Sequence, residues 1–239
     1  MTSHGLEPDG LEPDRLARVS SSLATGPDHP AEALCVACAR VVGVMGAGVV
    51  LMSGGPTVVG AWASDSATEA VEGVEYELGE GPCLEAYRTK APVTAPDLTG
   101  PEEVRWLEFR EGARRAGVRS AFGFPLLIET VCIGALNLYH DEVGALGAEQ
   151  FADAVATAHV TARTVLHWQG DALEGALAWQ LQPVPTHRAS FHQATGMVSV
   201  QAGVSVDDAQ ALLRAHAFAE SRSIDEVAGD VVRGRVRLG

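Results

Sequence analysis

The chain has 239 residues, 46% of them hydrophobic and 5% aromatic, with 17 basic against 31 acidic side chains. That apolar content excludes wholesale disorder. A formal charge of −14 excludes a general coat for nucleic acid or anionic membrane, because displacing counterions from phosphate takes positive charge. The acid is unevenly spread: residues 1–179 hold all of the excess, while residues 180–239 hold six basic and six acidic side chains.

The length suits one large domain or two modest ones. Cys35, Cys38, Cys83 and Cys132 form no framework of regular pairs, so reduced thiols and a cytoplasmic location are expected. Met1 to Gly10 lacks the basic start and apolar run of a secretory signal. Ala33 to Met52 is the one membrane-like stretch. Arg40 near its middle and Gly43, Gly46 and Gly48 after it make a helix joined to a buried strand the better reading, so no membrane is expected.

In chain order, helices are predicted over Asp14–Leu23 and Pro30–Val42, the second placing Cys35 and Cys38 on one turn, where burial in a core is the simpler reading. Val49–Met52 and Thr57–Ala63, joined by Ser53, Gly54, Gly55 and Pro56, read as a hairpin. A loop-rich region follows: Gly79 to Cys83, a short helix to Arg88, an extended Pro92–Ala95, and a helix from Pro101 to Ala116 with Val104, Leu107 and Ala113 inward. Arg119–Ile128 and Val131–Tyr139 read as an antiparallel pair.

Ala148 to Trp179 is a long helical pattern. Val155, Ala162, Gln169 and Ala176, accompanied by His159, Leu166 and Leu173, recur every seven residues. Such a repeat suits pairing with a second helix, or packing against the chain's own sheet. Pro183 and Pro185 end it, so a domain boundary is expected near Gln182. Three helices are predicted beyond, capped by Thr186, by Ser205 with Asp208, and by Ser223 with Glu226, with Gly203 as a stop. Their inward stripes are Phe191, Ala194, Met197 and Val198; Ala209, Leu212, Leu213 and Ala217; and Ile224, Val227, Ala228 and Val231. Ala194 and Gly196 would let helices approach closely.

Arg188, Phe191, Ala194, Gly196, Met197, Gly203, Ser205, Ala209, Leu212, Leu213, Arg214, Ile224, Val227, Ala228, Val231 and Val232 together resemble the ANTAR domain, a three-helix module of bacterial transcription antiterminators. Gly79 to Cys83, Val93 to Leu98, Gly117 to Ser120 and Ile133 to Leu138 resemble a GAF domain of the kind placed ahead of ANTAR in actinobacterial regulators. The resemblance implies an α+β GAF fold, an antiparallel sheet flanked by helices, followed by an all-α three-helix unit. It divides the chain into a flexible start over 1–13, a GAF sensor over 14–147, a linker helix over 148–182 and an RNA-binding unit over 183–239.

The implied function is transcription antitermination: a homodimer binding paired stem-loops in leader RNA, regulated by a small-molecule ligand in the GAF domain. Candidate RNA contacts are His187, Arg188, His192, Thr195, Arg214, His216, Arg222, Arg233 and Arg235. Thr195 stands where the family usually has Lys, which removes a phosphate-seeking charge. That change and the neutral balance favour an alternative, a sensory and dimerisation protein whose ANTAR-like unit no longer binds RNA.

Candidate ligand-pocket residues are Trp62, Tyr76, Cys83, Trp106, Phe109, Phe124, Asn137 and Tyr139, for each of which core burial is the competing reading. Cys83 at a helix start offers a redox sensor through a lowered thiol pKa, but a GPC sequence is common in the GAF class the chain resembles, so a structural role is the favoured reading. Glu72, Glu75, Glu77, Glu80 and Glu85 read as a solvated acidic face. No metal site and no catalytic constellation is recognisable, so an enzyme is not expected. The cofactor is unknown: nothing resembles the cysteine and histidine context that attaches a bilin, and haem stays open.

Overall fold

A computed structural model describes residues 12–24, 31–53, 58–170, 181, 188–220 and 222–238. The chain divides into two compact units, one of Met1–Tyr76 with Glu80–Gln182, the other of Glu77–Gly79 with Pro183–Gly239.

The first unit is built on a five-stranded antiparallel sheet of order β2-β1-β5-β4-β3, from β1 (Gly46–Met52), β2 (Val58–Ala63), β3 (Val93–Ala95), β4 (Ser120–Ile128) and β5 (Val131–His140). β1 is buried along its whole length because β2 and β5 pair on its two sides and helices cover its faces. Pro125 in β4 lies beyond the reach of the short β3, which pairs only Ala121 to Gly123, so that side of β4 tolerates a missing N–H.

One face of this sheet packs against α2 (Ala31–Val42) and α6 (Ala148–Gly170), and α1 (Pro13–Leu23) packs on those two helices. Ala31, Ala37, Ala39, Ala154, Ala156, Ala158 and Ala162 let these helices lie close over Val49, Leu51, Phe122, Phe124, Leu136 and Leu138. Cys35 and Cys38 are fully buried there, and the Cys38 thiol lies 3.4 Å from the Thr161 hydroxyl. Outside this core, Arg15 pairs with Glu149 and Asp153, and Arg18 with Asp153, tying α1 to α6.

The seven-residue repeat of α6 is only partly spent inside the unit: Ala162 is fully buried and Val155 packs on the same core, whereas Leu166 and Gln169 are exposed. Leu173 and Ala176 lie outside the described residues, as do Thr186 and the Pro183 and Pro185 break. Among the described residues no helix is long and apolar enough to cross a membrane.

The opposite face carries α3 (Ser66–Leu78), α4 (Pro82–Thr89) and α5 (Leu107–Arg115). The sequence reading missed α3, because Gly73 and four glutamates break its apolar pattern. It also began α5 six residues too early. Segment 101–106 is irregular, held by the Arg110 guanidinium donating to the carbonyls of Leu98 (2.9 Å), Gly100 (2.6 Å) and Glu103, and Trp106 takes a left-handed φ of 50°. Val104 and Leu107, expected inward, are therefore 81% and 69% exposed, while Ala113 is buried as expected.

The second unit holds α7 (Arg188–Ala202), α8 (Val206–Ala219) and α9 (Ile224–Val232), packed on one another through Phe191, Ala194, Val198, Ala209, Leu213, Ala217, Ile224, Val227, Ala228 and Val231. Ser223 and Glu226 form a complete capping box, its reciprocal bonds both 3.2 Å. Ser205 accepts from the Asp208 N–H at 3.1 Å, but the shorter Asp carboxylate bonds the Ser205 hydroxyl instead of the N-cap N–H. Gly203 stops α7 with φ of 67°. Leu212 is 40% exposed, and Gly196 faces open space, so neither makes the close helix contact expected of it.

Candidate functional site

On the α3 side of the sheet, β5 presents Asn137 and Tyr139, both fully buried. Asn137 pairs across the sheet with Gly48 on β1 and with Gly123 on β4, so the amide stands in a trough with no side chain on either neighbouring strand. Both glycines are required by close approach: a Cβ at Gly48 would fall on the Glu72 carboxylate, and one at Gly123 on the Pro82 carbonyl at the start of α4.

α3 is started by Asp65, whose carboxylate accepts from the Thr68 N–H at 2.9 Å. Its buried stripe is Thr68, Val71, Glu72, Glu75 and Tyr76 at helical spacing, which drives two carboxyl groups, 4% and 3% exposed, into the unit. The Glu72 Oε1 accepts from Asn137 Nδ2 at 2.7 Å and from the Tyr139 hydroxyl at 3.1 Å. The Glu75 Oε1 accepts from the N–H of Cys83 at 2.7 Å and of Leu84 at 3.3 Å, capping α4 from outside its own sequence. Gly81, at φ of 147°, permits that approach, since a Cβ there would meet the same carboxylate. Among the described residues Glu75 Oε2 and Asn137 Oδ1 are buried without a well-formed hydrogen bond, although the Tyr139 hydroxyl is near enough to Glu75 to favour its charged form.

Burial, and then Glu72, push the Glu75 carboxyl well above the usual range. Burial, then the two glutamates, also push up the Tyr139 hydroxyl and the Cys83 thiol. Cys83 therefore does not carry the lowered pKa expected at a helix start. The positive end of α4 is matched to Glu75, and a thiolate beside two carboxylates is disfavoured.

Tyr76, Cys83, Asn137 and Tyr139 from the predicted lining share this side of the sheet with Glu72 and Glu75. Trp62 and Phe124 do not: side chains alternate along a strand, and both lie in the core under α2 and α6, Phe124 with its ring 5.4 Å from that of Phe151. Trp106 and Phe109 form a separate group, edge to face at 6.2 Å, with the Arg105 guanidinium 4.2 Å above the Trp106 ring. Of the acidic run, Glu72 and Glu75 are thus not on a solvated face, whereas Glu77 is exposed and Glu80 and Glu85 are half-buried. Among the described residues no cluster of three or more His, Cys, Asp or Glu side chains is placed to hold a metal ion.

In the second unit, Thr195 is 3% exposed and its hydroxyl donates to the Phe191 carbonyl one turn back at 2.8 Å, so it lies in the core with its donor already engaged. The Arg214 guanidinium lies 5.4 Å from the Phe191 ring. His216 pairs with Glu220 at 3.3 Å, and His192 stacks edge-on to Phe191 at 6.1 Å. Arg222, Arg233 and Arg235 come together: all three reach the Asp230 carboxylate, at 2.6, 3.0 and 3.3 Å, and Arg222 also meets Glu220 at 3.3 Å. Chiefly through Arg222 and then Arg233, this depresses Asp230 to about 2. His187 and the Arg188 side chain lie outside the described residues.

The family model of the GAF domain matches residues 25–163, more than half of the chain. The chain belongs to the GAF domain family. Several solved structures are similar to part of the chain. The GAF domain of an Acinetobacter phosphoenolpyruvate-protein phosphotransferase is 11% identical, with 67% of this chain and 96% of that one covered at a TM-score of 0.47. The chromophore-binding domain of a bacteriophytochrome from R. palustris is 10% identical, over 66% and 62%, at 0.46. The free methionine-R-sulfoxide reductase of Neisseria meningitidis, solved with its substrate, is 17% identical, over 62% and 84%, at 0.42. Among curated proteins none matches the sequence.

Sequence reasoning placed Glu72 and Glu75 on a solvated face and so missed that they are buried in this GAF unit. A signal was there: Thr68, Val71, Glu72, Glu75 and Tyr76 follow helical spacing, with the two acids on the same face as the apolar residues.

Proposed function

We propose that the protein is an RNA-binding transcription antitermination regulator in which the GAF unit senses a small molecule and the three-helix unit, as a homodimer, binds stem-loops of leader RNA. It performs no catalysis and works in the cytoplasm. The observation that carries this reading is the gathering of Arg222, Arg233 and Arg235 around Asp230. The neutral balance of residues 180–239 hides a separation. Asp207, Asp208, Asp225 and Glu226 occupy the first turns of α8 and α9, where they serve the helix ends, while the Arg222, Arg233 and Arg235 guanidinium groups collect at Asp230 in the last turn of α9. Guanidinium groups held in one place suit phosphate oxygens, and stem-loops add unstacked bases for which Phe218, 75% exposed, offers a ring.

A mobility shift with a two-stem-loop leader tests it. Binding should weaken as salt rises, and Arg233→Ala with Arg235→Ala should weaken it further and flatten the salt dependence. The alternative, a dimerisation or docking unit that no longer binds RNA, is favoured by one observation: Val200, Phe218, Val206 and Leu212 are 85%, 75%, 47% and 40% exposed. Absence of any shift at low salt, together with self-association lost in Phe218→Ser, would select it.

A further inference from the structure

We propose that Asp230 is a positioning residue for RNA: its carboxylate sets Arg222, Arg233 and Arg235 in one fixed arrangement, so that the second unit selects folded RNA instead of any polyanion. This role rests on the RNA-binding reading above and names the source of its selectivity.

The arrangement follows from the way α9 ends. The Gly234 N–H donates to the Val231 carbonyl at 2.9 Å and the Arg235 N–H to the Asp230 carbonyl at 2.8 Å, the paired bonds of a helix stop that a glycine at positive φ permits. That stop folds the chain back over the last turn, so Arg233 and Arg235, on either side of Gly234, come to the one acid in that turn. Arg222 arrives from the opposite end: it precedes α9, and its guanidinium reaches past the helix start to Asp230, eight residues on. The Asp230 Oδ2 accepts from Arg222 at 2.6 Å, and Oδ1 accepts from Arg233 at 3.0 Å and Arg235 at 3.3 Å. Three like charges brought together repel one another, and the carboxylate between them offsets that repulsion. The depressed pKa of Asp230 reflects the same balance.

Stability does not account for the cluster. The Asp230 side chain is 15% exposed, but those of Arg222, Arg233 and Arg235 are 32%, 54% and 67% exposed, and ion pairs open to water add little to folding. The exposure leaves donors instead. A guanidinium carries five N–H groups, and each of the three arginines gives Asp230 a single nitrogen, Arg222 giving another to Glu220. The inner edges are pinned while outer N–H groups face phosphate oxygens.

Pinned donors match a spacing of phosphates, whereas loose ones answer only to charge. Hairpin RNA is recognised by such shape, and a strand without pairing lacks it. The acids also restrain the long-range pull: with Asp230 and Glu220 set against the three arginines, the cluster keeps a single net positive charge. Selection is thereby left to geometry more than to counterion release.

The test measures the affinity of the full-length protein, across salt concentrations, for a two-stem-loop leader and for the same nucleotides shuffled so that no hairpin forms. Asp230→Asn keeps the size and removes the charge. Binding of the shuffled RNA should strengthen, its salt slope should steepen by about one unit, and the leader-to-shuffled affinity ratio should fall toward one. Asp230→Glu keeps the charge but moves the guanidinium groups outward by a methylene, so the ratio should fall with the slope unchanged; this variant serves if the first does not fold. Asp207→Asn adds the same charge at the start of α8, where Asp207 pairs with no cation among the described residues, and should strengthen both RNAs alike. A purely structural Asp230 would lower the melting temperature and leave the ratio intact. A wild-type ratio kept by the Asp230 variants, or lost equally in Asp207→Asn, overturns the proposal while RNA binding stands. If the wild-type protein binds the two RNAs alike, the RNA reading falls and the role of Asp230 with it.

Discussion

Asn137 on β5 donates to Glu72 on α3 at 2.7 Å, joining the centre of the sheet to a helix laid across it. The same Glu72 oxygen takes the Tyr139 hydroxyl, so two consecutive same-face residues of one strand converge on one carboxylate atom. Replacing Asn137 by Ala removes a charge-assisted bond and leaves a buried carboxyl short of a partner. A loss of about 1.5–3 kcal/mol in urea unfolding is expected, with Asn137→Asp losing more because it adds a third acid to the cluster.

Glu75 makes the stability of the GAF unit depend on pH in an unusual direction for a carboxyl group. Its folded pKa is raised, so protons bind more tightly to the native state than to the unfolded one. Its contribution is fully present below the unfolded carboxyl value, about 4.3, and is lost as pH rises toward the raised folded value. Urea midpoints measured from acid to neutral pH should fall over this window relative to Glu75→Gln, in which that slope disappears.

The four thiols should divide by burial. Cys35, Cys38 and Cys83 are buried, and burial is the first cause raising each, Cys38 to about 12. Cys132 is partly exposed and less raised, with Lys90 acting in the opposite sense. Alkylation of the native protein followed by peptide mass spectrometry should label Cys132 first and leave the other three protected until unfolding. Early labelling of Cys83 would instead restore it as a candidate redox sensor.

Two serine caps in the second unit differ in a way substitution should detect. Ser223 has its reciprocal Glu226 bond, whereas Ser205 lacks one. Ser223→Ala should cost about 1 kcal/mol and Ser205→Ala less, read by hydrogen exchange at the first amides of α9 and α8.

The strands and most helices were legible because their signals are local: β-rich runs broken by turn formers, caps, and apolar stripes. The buried side of the GAF unit was less so. Glu72 and Glu75 look like surface acids until Asn137, Tyr139 and the α4 amides are placed beside them, and those partners come from segments eight to sixty-seven residues away. Trp62 and Phe124 went to the wrong face because membership in a strand does not say which parity faces a pocket. Thr195 was weighed by comparison with a charged residue, whereas its own short side chain finds its partner one turn back in α7. The charges of the second unit were countable, but their convergence on Asp230 depends on how the chain turns after α9, at Gly234 with its φ of 70°.

That turn has an electrical consequence. With Asp225 and Glu226 at one end of α9 and the Arg233 and Arg235 guanidinium groups around Asp230 at the other, the stretch 180–239, neutral in sum, carries its charge unevenly. An approaching polyanion would swing it arginine-first before any contact forms, so its neutrality governs how often it is drawn in, and its polarity governs which way round it arrives.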